Sequence, residues 1–252
     1  LAGGPARIIL NEVNSGNPSQ LRGYMEVAGQ RAEVIIANPA GISVDGAGFI
    51  NASRATLTTG TPQLNAFGGL DSFLVRGGTI TINGAGLDAS KTDYAAILAR
   101  AVEANAGIWA SELKVVSGAN MVSADHSQIT PTTGTGAAPT FALDVAALGG
   151  MYAGKIVLVG TEAGLGVRNA GTLQAAPGAT ALAGAGQLVV TSAGRLENIG
   201  TIQGTADVNL AAASLGNSGR IGSGGNLKIA SQGDLANSLG GKGGTLEGAR
   251  LE

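Results

Sequence analysis

The sequence contains no cysteine, so it offers no disulfide framework, no thiol nucleophile and no cysteine ligand for a metal. It contains one histidine, His126, which excludes metal clusters of several histidines and acid–base catalysis by a histidine pair. A lone histidine of this kind is predicted to be structural or to lie on the surface. Neither a G-x-S-x-G elbow nor a phosphate-binding loop is present. These absences argue against a catalytic site.

Charge and long apolar runs are also scarce. Charged residues make up 13% of the chain and the net charge is −2, which leaves no basic surface for nucleic acid or an anionic membrane. No apolar run reaches the roughly 20 residues of a transmembrane helix. The sequence begins at Leu1 without a methionine or a signal peptide, so it is expected to be a piece of a longer protein.

Aromatic residues make up 3% of the chain, fewer than a globular core of this size normally uses. Glycine is plentiful instead, with 43 of 252 residues, more than twice the usual share of about 7%. No G-X-Y period is present, which excludes collagen. Small apolar residues with abundant glycine are typical of thin, repeated layers.

Short strand-like segments separated by turn residues run along most of the chain. They leave no room for crossover helices, which predicts an all-β solenoid, sandwich or barrel. These segments are Ala6–Val13, Tyr24–Gln30, Arg31–Ile36, Arg54–Gly60, Ser72–Gly78, Thr79–Gly84, Phe141–Val145 and Lys155–Val159. The Pro- and Thr-rich segment Thr130–Thr140 is predicted to be a surface loop or an extruded hairpin.

The segment Lys91–Ala106 allows two interpretations. Its apolar residues have helical spacing, which is typical of an amphipathic helix of about four turns. Alternatively it holds part of two strands, Ala96–Val102 and Gly107–Val116, separated by a turn at Asn105-Ala106-Gly107. We favour the strands, because helices are otherwise absent and similar Asn-x-Gly turns recur.

The last third of the chain is repetitive. Asn169-Ala170-Gly171-Thr172-Leu173 recurs in related form from Asn198 and from Asn217, and a weaker copy starts at Asn237. The asparagines are 29, 19 and 20 residues apart. About 20 residues with short strands and a glycine corner correspond to one coil of a parallel β-helix. Asn169, Asn198 and Asn217 are therefore predicted to form a hydrogen-bonded ladder along one corner.

A second distinctive stretch covers residues 34–51. The apolar run Val34-Ile35-Ile36 is broken by Asn38-Pro39, because proline fixes its own φ and favours extended geometry before it. Gly41, Gly46 and Gly48 allow positive φ or close backbone approach, and Phe49-Ile50 resumes an apolar run. The residues alone predict a strand, a corner and a second strand.

This stretch closely resembles the N-terminal secretion domain of two-partner secretion exoproteins, the filamentous-haemagglutinin-like adhesins and contact-dependent growth inhibition toxins of Gram-negative bacteria. The resemblance is carried by Ala37–Ile42, Gly46–Asn51 and Arg54–Gly60, and continues in Ala147–Glu162, which resembles the passage into haemagglutinin-type repeats. Ala40 departs from the family pattern, which has a second asparagine at that position.

The resemblance implies a right-handed parallel β-helix with extra-helical hairpins or loops, and a chain without cofactor, metal site or reaction. It implies export through the periplasm to the bacterial cell surface by an outer-membrane β-barrel transporter with periplasmic recognition domains. Asn38, Pro39, Gly41 and Ile42 would form the motif that the transporter recognises. Residues 1–154 would be a secretion domain lacking its N-terminal part, and residues 155–252 the first haemagglutinin-type repeats, continuous with it.

Two other functions are considered. A polysaccharide-acting β-helix enzyme needs clustered carboxylates, whereas those of this chain are scattered along the sequence. An adhesin would contact glycans or receptors directly through these coils. Trp109 and Tyr152 are predicted to be core or cap residues and not platforms for a sugar ring. The sequence leaves open whether the complete protein is an adhesin or a growth-inhibition toxin, with receptor contacts in other regions.

Overall fold

The computed structural model describes residues 4–179 and 181–252; residues 1–3, at the start of the predicted secretion domain, lie outside this description. The described residues form 27 strands and no helix. Accordingly, none of them builds a helix that is long and apolar enough to cross a membrane. In chain order the strands are β1 (Ile8–Glu12), β2 (Ser19–Glu26), β3 (Ala32–Ala37), β4 (Ile42–Ile50), β5 (Ala52–Thr58), β6 (Thr61–Leu64), β7 (Leu70–Val75), β8 (Thr79–Ala89), β9 (Tyr94–Ala99), β10 (Ala101–Ala104), β11 (Gly107–Ser117), β12 (Asn120–Ser123), β13 (Ile129–Pro131), β14 (Phe141–Val145), β15 (Gly150–Gly160), β16 (Gly166–Asn169), β17 (Thr172–Ala175), β18 (Leu188–Asn198), β19 (Thr201–Gly204), β20 (Val208–Asn217), β21 (Arg220–Ser223), β22 (Asn226–Ser231), β23 (Leu235–Ala236), β24 (Ser238–Leu239), β25 (Lys242–Gly243), β26 (Thr245–Glu247) and β27 (Arg250–Leu251).

Parallel pairing between successive coils builds three faces of a β-helix. The first face runs from β1 through β3, β5 and β9 to the second halves of β11 and β15, the first halves of β18 and β20, and β22. The second face includes the first halves of β4 and β8, then β10, β14, β16 and the second halves of β18 and β20. The third includes the first halves of β11 and β15, followed by β17, β19, β21 and β26.

The interior is a column of aliphatic side chains, one layer from each coil. Equivalent positions on the second face show this, because seven successive coils place a buried aliphatic residue there. These residues are Ile42, Ile80, Val102, Leu143, Val167, Leu196 and Leu215. A coil only a few side chains wide has little space for rings, which explains the scarcity of aromatic residues.

A second, antiparallel sheet of β13, β12, β7 and β6 packs outside the first face. Phe73, Val75 and Val122 of this sheet bury against Ile35 and Leu98 of the β-helix and form a separate apolar cluster. The inserted segments that supply it follow β5 and β11. Within the Thr130–Thr140 segment, Thr130 and Pro131 end β13, which pairs with β12 in a hairpin that begins before the segment, and residues 132–140 form the surface loop that was the other expectation.

The strand interpretation of Lys91–Ala106 is confirmed, but the predicted strand Ala96–Val102 is divided at Arg100 into β9, on the first face, and β10, on the second. Its nearly continuous apolar run arises because β9 is covered on both sides. Ala95 and Ile97 point into the solenoid core, whereas Ala96 and Leu98 face the extra-helical sheet. A strand buried on both faces loses the alternation that normally marks it.

The corner predicted over residues 38–48 is shorter than expected. Gly46, Ala47 and Gly48 lie within β4, which continues from Ile42 to Ile50. Gly46 has φ of 74° and coincides with a register shift between Asp45 and Ala47, opposite β8. The glycines therefore form a bulge where the strand turns from the second face to the third, and the sharp corner is limited to Asn38–Gly41.

Candidate functional site

The Asn38 side chain is buried inside the corner between β3 and β4. Its Nδ2 donates to the carbonyl of Asn17 and to Oγ of Ser19, both at 2.9 Å, and its Oδ1 accepts from the backbone N–H of Ala40 at 2.9 Å. The first two bonds reach back to the previous coil, and the third closes the turn itself. Asn38 therefore stabilises the corner and its stacking on the neighbouring coil.

The other three motif residues surround Asn38 with different exposures. Pro39 is exposed at the tip, whereas Gly41 is buried and Ile42 points into the core. The N–H of Gly41 donates to the carbonyl of Asn38 at 3.0 Å. The structure thus brings the four predicted motif residues together at one corner, with Pro39 the only one whose side chain is exposed to solvent.

Replacing Gly41 by alanine is expected to lower the free energy of unfolding by about 1–3 kcal/mol. Gly41 has φ of 118°, and a Cβ there would lie 3.0 Å from the carbonyl oxygen of Thr79. Gly16, whose Cβ position is open, provides the control, and Gly16→Ala is expected to change stability by less than about 0.5 kcal/mol. Urea unfolding measures both; equal effects would contradict a strained corner.

The three predicted ladder asparagines are joined directly. Nδ2 of Asn169 donates to Oδ1 of Asn198, and Nδ2 of Asn198 donates to Oδ1 of Asn217, both at 2.8 Å. Asn217 in turn donates to Asn237 at 2.8 Å. Asn169, Asn198 and Asn217 are completely buried. Side-chain amides thus form a continuous row along the corner of the last coils.

The row of asparagines begins at Asn169. In preceding coils the same position holds the apolar residues Ile82, Ala104 and Val145. Oδ1 of Asn169 consequently faces a residue that cannot donate, and it has no hydrogen-bond partner among residues 4–179 and 181–252. The buried asparagine row is a property of the C-terminal coils and begins after Val145, whereas the earlier pair of Asn83 and Asn105 lies one residue further along the chain and is exposed.

Comparison of the sequence with models of known protein families agrees with this architecture. A family model of the TPS secretion domain, where TPS denotes two-partner secretion, matches residues 2–190, and a haemagglutinin repeat model matches residues 174–238. The chain belongs to the two-partner secretion family.

Related proteins and a solved structure support the same assignment. "Toxin CdiA" of Yersinia pestis is 54% identical over 203 residues, covering 80% of this chain and 6% of that protein. "tRNA nuclease CdiA" of Escherichia coli (strain STEC_O31) is 51% identical over 209 residues, covering 83% of this chain and 6% of the relative. The crystal structure of the filamentous hemagglutinin secretion domain is 31% identical, with a TM-score of 0.68 and coverage of 96% of this chain and 75% of that one.

The chain therefore spans a small part of the curated relatives that it matches. The matched part is a two-partner secretion domain with haemagglutinin repeats, a secretion and structural module. Exoproteins of this family are secreted through the periplasm and associate with the cell surface, which places this secretion module on the same route.

The secretion module contains a buried ion pair that sequence reasoning missed. Arg100 contacts Glu162 with two hydrogen bonds, at 3.0 Å from Nε and 2.7 Å from Nη2, and its Nη1 donates to the carbonyl of Thr135 at 2.8 Å. Hydrogen bonds from Arg100 hold the pKa of Glu162 below its ordinary value. The pair ties the inserted loop to the coils, and its 62-residue separation left no signal in the sequence.

His126 is buried beneath the extra-helical sheet, which fits the predicted structural role. Its Nδ1 lies 2.9 Å from the Tyr94 hydroxyl, and its ring stacks on the Tyr94 ring with centroids 5.6 Å apart. Burial, with the nearby charges of Arg54 and Lys114, lowers the pKa of His126 to about 4, while Asp125 acts in the opposite direction. The folded module thus favours the neutral imidazole.

His126 is expected to make the module less stable in mild acid. Its pKa in the folded chain lies below the ordinary value of 6.5, so stability is fully present above pH 6.5 and falls as the pH approaches about 4. The expected loss is about 2–3 kcal/mol, since one pKa unit corresponds to about 1.4 kcal/mol. His126→Asn should reduce this dependence of stability on pH, and asparagine tolerates the positive φ of 62° at this position. Urea unfolding across this pH range measures it; equal slopes for both proteins would contradict the assignment.

The prediction that Trp109 and Tyr152 are core or cap residues is wrong. Both project outward from the third face, and Trp109 is 41% exposed. Neither ring reaches the aliphatic column.

No group of three or more residues that could hold a metal ion occurs within the described part of the chain.

Proposed function

We propose that an outer-membrane transporter recognises this module through the Asn38–Ile42 corner, and that the coils form the base of a fibrous surface exoprotein. The observation that supports this most strongly is the match of the secretion-domain family over residues 2–190, which includes the corner. The periplasmic domains of a β-barrel transporter are the proposed partner.

The geometry of the corner suggests when recognition takes place. In the folded coil the Asn38 amide has all its hydrogen bonds inside the protein, so a partner cannot use them. In the extended chain the same amide is free to bond. We infer that the transporter binds residues 38–42 before the corner closes, and that closure then contributes to release of the segment.

Binding to the purified periplasmic domains of the cognate transporter tests this order. The chain freshly diluted from urea is expected to bind more tightly than the folded chain, and Asn38→Ala is expected to weaken binding of the diluted chain at least tenfold. Asn209→Ala, an exposed asparagine in β20, is the matched control and should bind normally. Equal binding by folded and diluted chains would contradict recognition before folding.

The module divides into a secretion domain at residues 1–154 and a repeat region at 155–252 in our proposal. The change from Val145 to Asn169 along the second face supports a transition between these coils. The overlap of the two family models at residues 174–190 supports a continuous transition between the two regions. Limited proteolysis should therefore yield no stable fragment cut at residues 150–160; recovery of two folded halves would contradict continuity.

We further propose that this region binds no cofactor and catalyses no reaction. Several carboxylates are held in ion pairs, such as Asp144 with Arg168 at 2.7 Å, and are not arranged around an open site. Incubation with acidic and neutral polysaccharides should leave their chain length unchanged on size-exclusion chromatography. Shortened chains that disappear with a carboxylate variant would support the enzyme alternative.

The complete protein is proposed to deliver a toxin to neighbouring cells. The supporting observation is that relatives about 50% identical are named toxin or tRNA nuclease, whereas the structural neighbour, at 31% identity, is named a filamentous hemagglutinin. Co-culture of the producing strain with a sensitive strain tests this, and inhibition should require the complete exoprotein. Adhesion to host cells without inhibition would favour the adhesin.

A further inference from the structure

Two aromatic rings lie side by side on the outer surface of the third face. Trp109 of β11 and Tyr152 of β15 are paired directly in the parallel register, so they occupy the same position in successive coils. Their ring centroids are 6.0 Å apart and their planes differ by 15°. The two rings are therefore nearly parallel neighbours along the solenoid axis.

Glycine positions beneath both rings allow them to lie against the backbone. A Cβ at Gly107 would meet three atoms of the Trp109 ring, and a Cβ at Gly150 would meet the hydroxyl end of the Tyr152 ring. Each glycine precedes its ring by two residues on the same strand and face. Any larger residue would push the ring away from the backbone. The two glycines therefore allow both rings to lie against the backbone with their outer faces available.

A groove continues from the aromatic pair across the edge towards the first face. A cavity of about 230 Å³ is lined by Trp109, Tyr152 and Gln174. It shares Ser90 and Gly154 with an adjoining cavity of about 690 Å³. The larger cavity adds the hydroxyls of Thr92 and Ser111 and the charged residues Lys91 and Asp93.

The polar groups of this groove suit an uncharged ligand. Asp93 is already paired with Arg31, at 3.0 Å, and among the described residues Lys91 is the one other charged residue that lines either cavity. The Ser90, Thr92 and Ser111 hydroxyls already donate within the chain, so towards a ligand they can act as acceptors. The Gln174 amide can both donate and accept, and none of these groups selects a charge. Anionic ligands such as phosphates would find no arginine cluster here.

We propose that Trp109 and Tyr152 form a binding platform for a neutral oligosaccharide. The C–H face of a pyranose ring is apolar and packs on an aromatic face, while its hydroxyls bond to polar groups at the rim. Two nearly parallel rings that lie against the backbone in consecutive coils would hold two sugars of one chain, and the hydroxyl-lined groove would hold the sugars that follow. The platform binds the chain and does not cleave it.

Trp109 is the only tryptophan of the sequence, so its fluorescence reports directly on the platform. The probes are cellohexaose, maltohexaose and chitohexaose, three neutral hexasaccharides. At least one should change the Trp109 emission in a saturable way, with a dissociation constant that is the same at low and high salt. Calorimetry provides an independent affinity.

Variants decide whether the rings carry the binding. Tyr152→Ala and Trp109→Ala are each expected to weaken binding at least tenfold by calorimetry, whereas Trp109→Phe should retain most of it. Phe67→Ala is the matched control, because Phe67 is 98% exposed on the loop between β6 and β7 and should leave binding unchanged. Circular dichroism and urea unfolding verify that each variant is folded.

Absence of binding by all three hexasaccharides, or equal affinity of the alanine variants and the unsubstituted protein, would overturn the proposal. Shielding of the Trp109 side chain from solvent by the transporter's periplasmic domains, without saccharide binding, would also overturn the proposal. It would show that this surface binds a protein. Because none of these measurements depends on export, their failure is distinct from failure of the proposed recognition at Asn38.

Discussion

Replacing Asn198 by alanine is expected to lower the free energy of unfolding by about 3–5 kcal/mol. Asn198 is at the middle of the ladder, where its side chain accepts from Asn169 and donates to Asn217, each at 2.8 Å. It also donates to the carbonyl of Arg220 at 3.1 Å. Its removal leaves several completely buried polar groups with fewer partners, and each such group costs about 1–3 kcal/mol.

Urea unfolding of Asn198→Ala measures this effect, and Asn209→Ala is the control, since it removes the same kind of side chain. Asn209 lies in β20 of the neighbouring coil with its side chain exposed, so Asn209→Ala is expected to change stability by less than about 0.5 kcal/mol. If both substitutions had the same small effect, the ladder would contribute little and the C-terminal coils would depend on the aliphatic column alone.

Replacing Arg100 by alanine is expected to destabilise the module by about 3–5 kcal/mol, as is typical when one partner of a buried ion pair is removed. The Arg100 side chain is 7% exposed and that of Glu162 is 21% exposed. The substitution leaves the Glu162 carboxylate with the N–H of Ala119, at 3.3 Å, as its one remaining partner in the part of the chain that the structure describes. It also releases the carbonyl of Thr135, so the inserted loop should become mobile.

The control for Arg100 is Arg220, whose pair with Glu247 is about half exposed on both sides. Arg220→Ala is expected to cost about 0–1 kcal/mol, because solvent screens an exposed pair. The contribution of the buried pair should be present above the ordinary pKa of Glu162, 4.5, and should decrease as the pH falls below it. Equal effects of the two substitutions, or an effect of Arg100→Ala that persists in acid, would contradict this assignment.

Much of the β-helix could be predicted because short, local sequence patterns indicate its coils. The asparagine spacing of about 20 residues marks successive coils, and Asn-x-Gly turns mark their corners. The strand Phe141–Val145 was predicted with the bounds that the structure has. The helical spacing of Lys91–Ala106 was ambiguous for a physical reason, because a strand covered by a second sheet becomes apolar on both sides.

The remaining features depend on contacts between distant segments. Nothing near Arg100 in the sequence indicates that an inserted loop and Glu162 surround it. Likewise, Trp109 and Tyr152 are 43 residues apart, and the parallel register alone makes them neighbours. The role of the Asn38 motif is a different case: the structure gives its geometry, whereas recognition by the transporter stays a prediction.

The most direct test of that prediction is the secreted fraction of the complete exoprotein, co-expressed with its transporter and measured by immunoblot. Asn38→Ala is expected to abolish export, whereas Asn198→Ala, which disrupts a buried asparagine of the same kind in a later coil, should still be exported. This result would separate recognition from coil stability. Normal export of Asn38→Ala, or equal retention of both variants, would contradict a recognition role for the Asn38 corner.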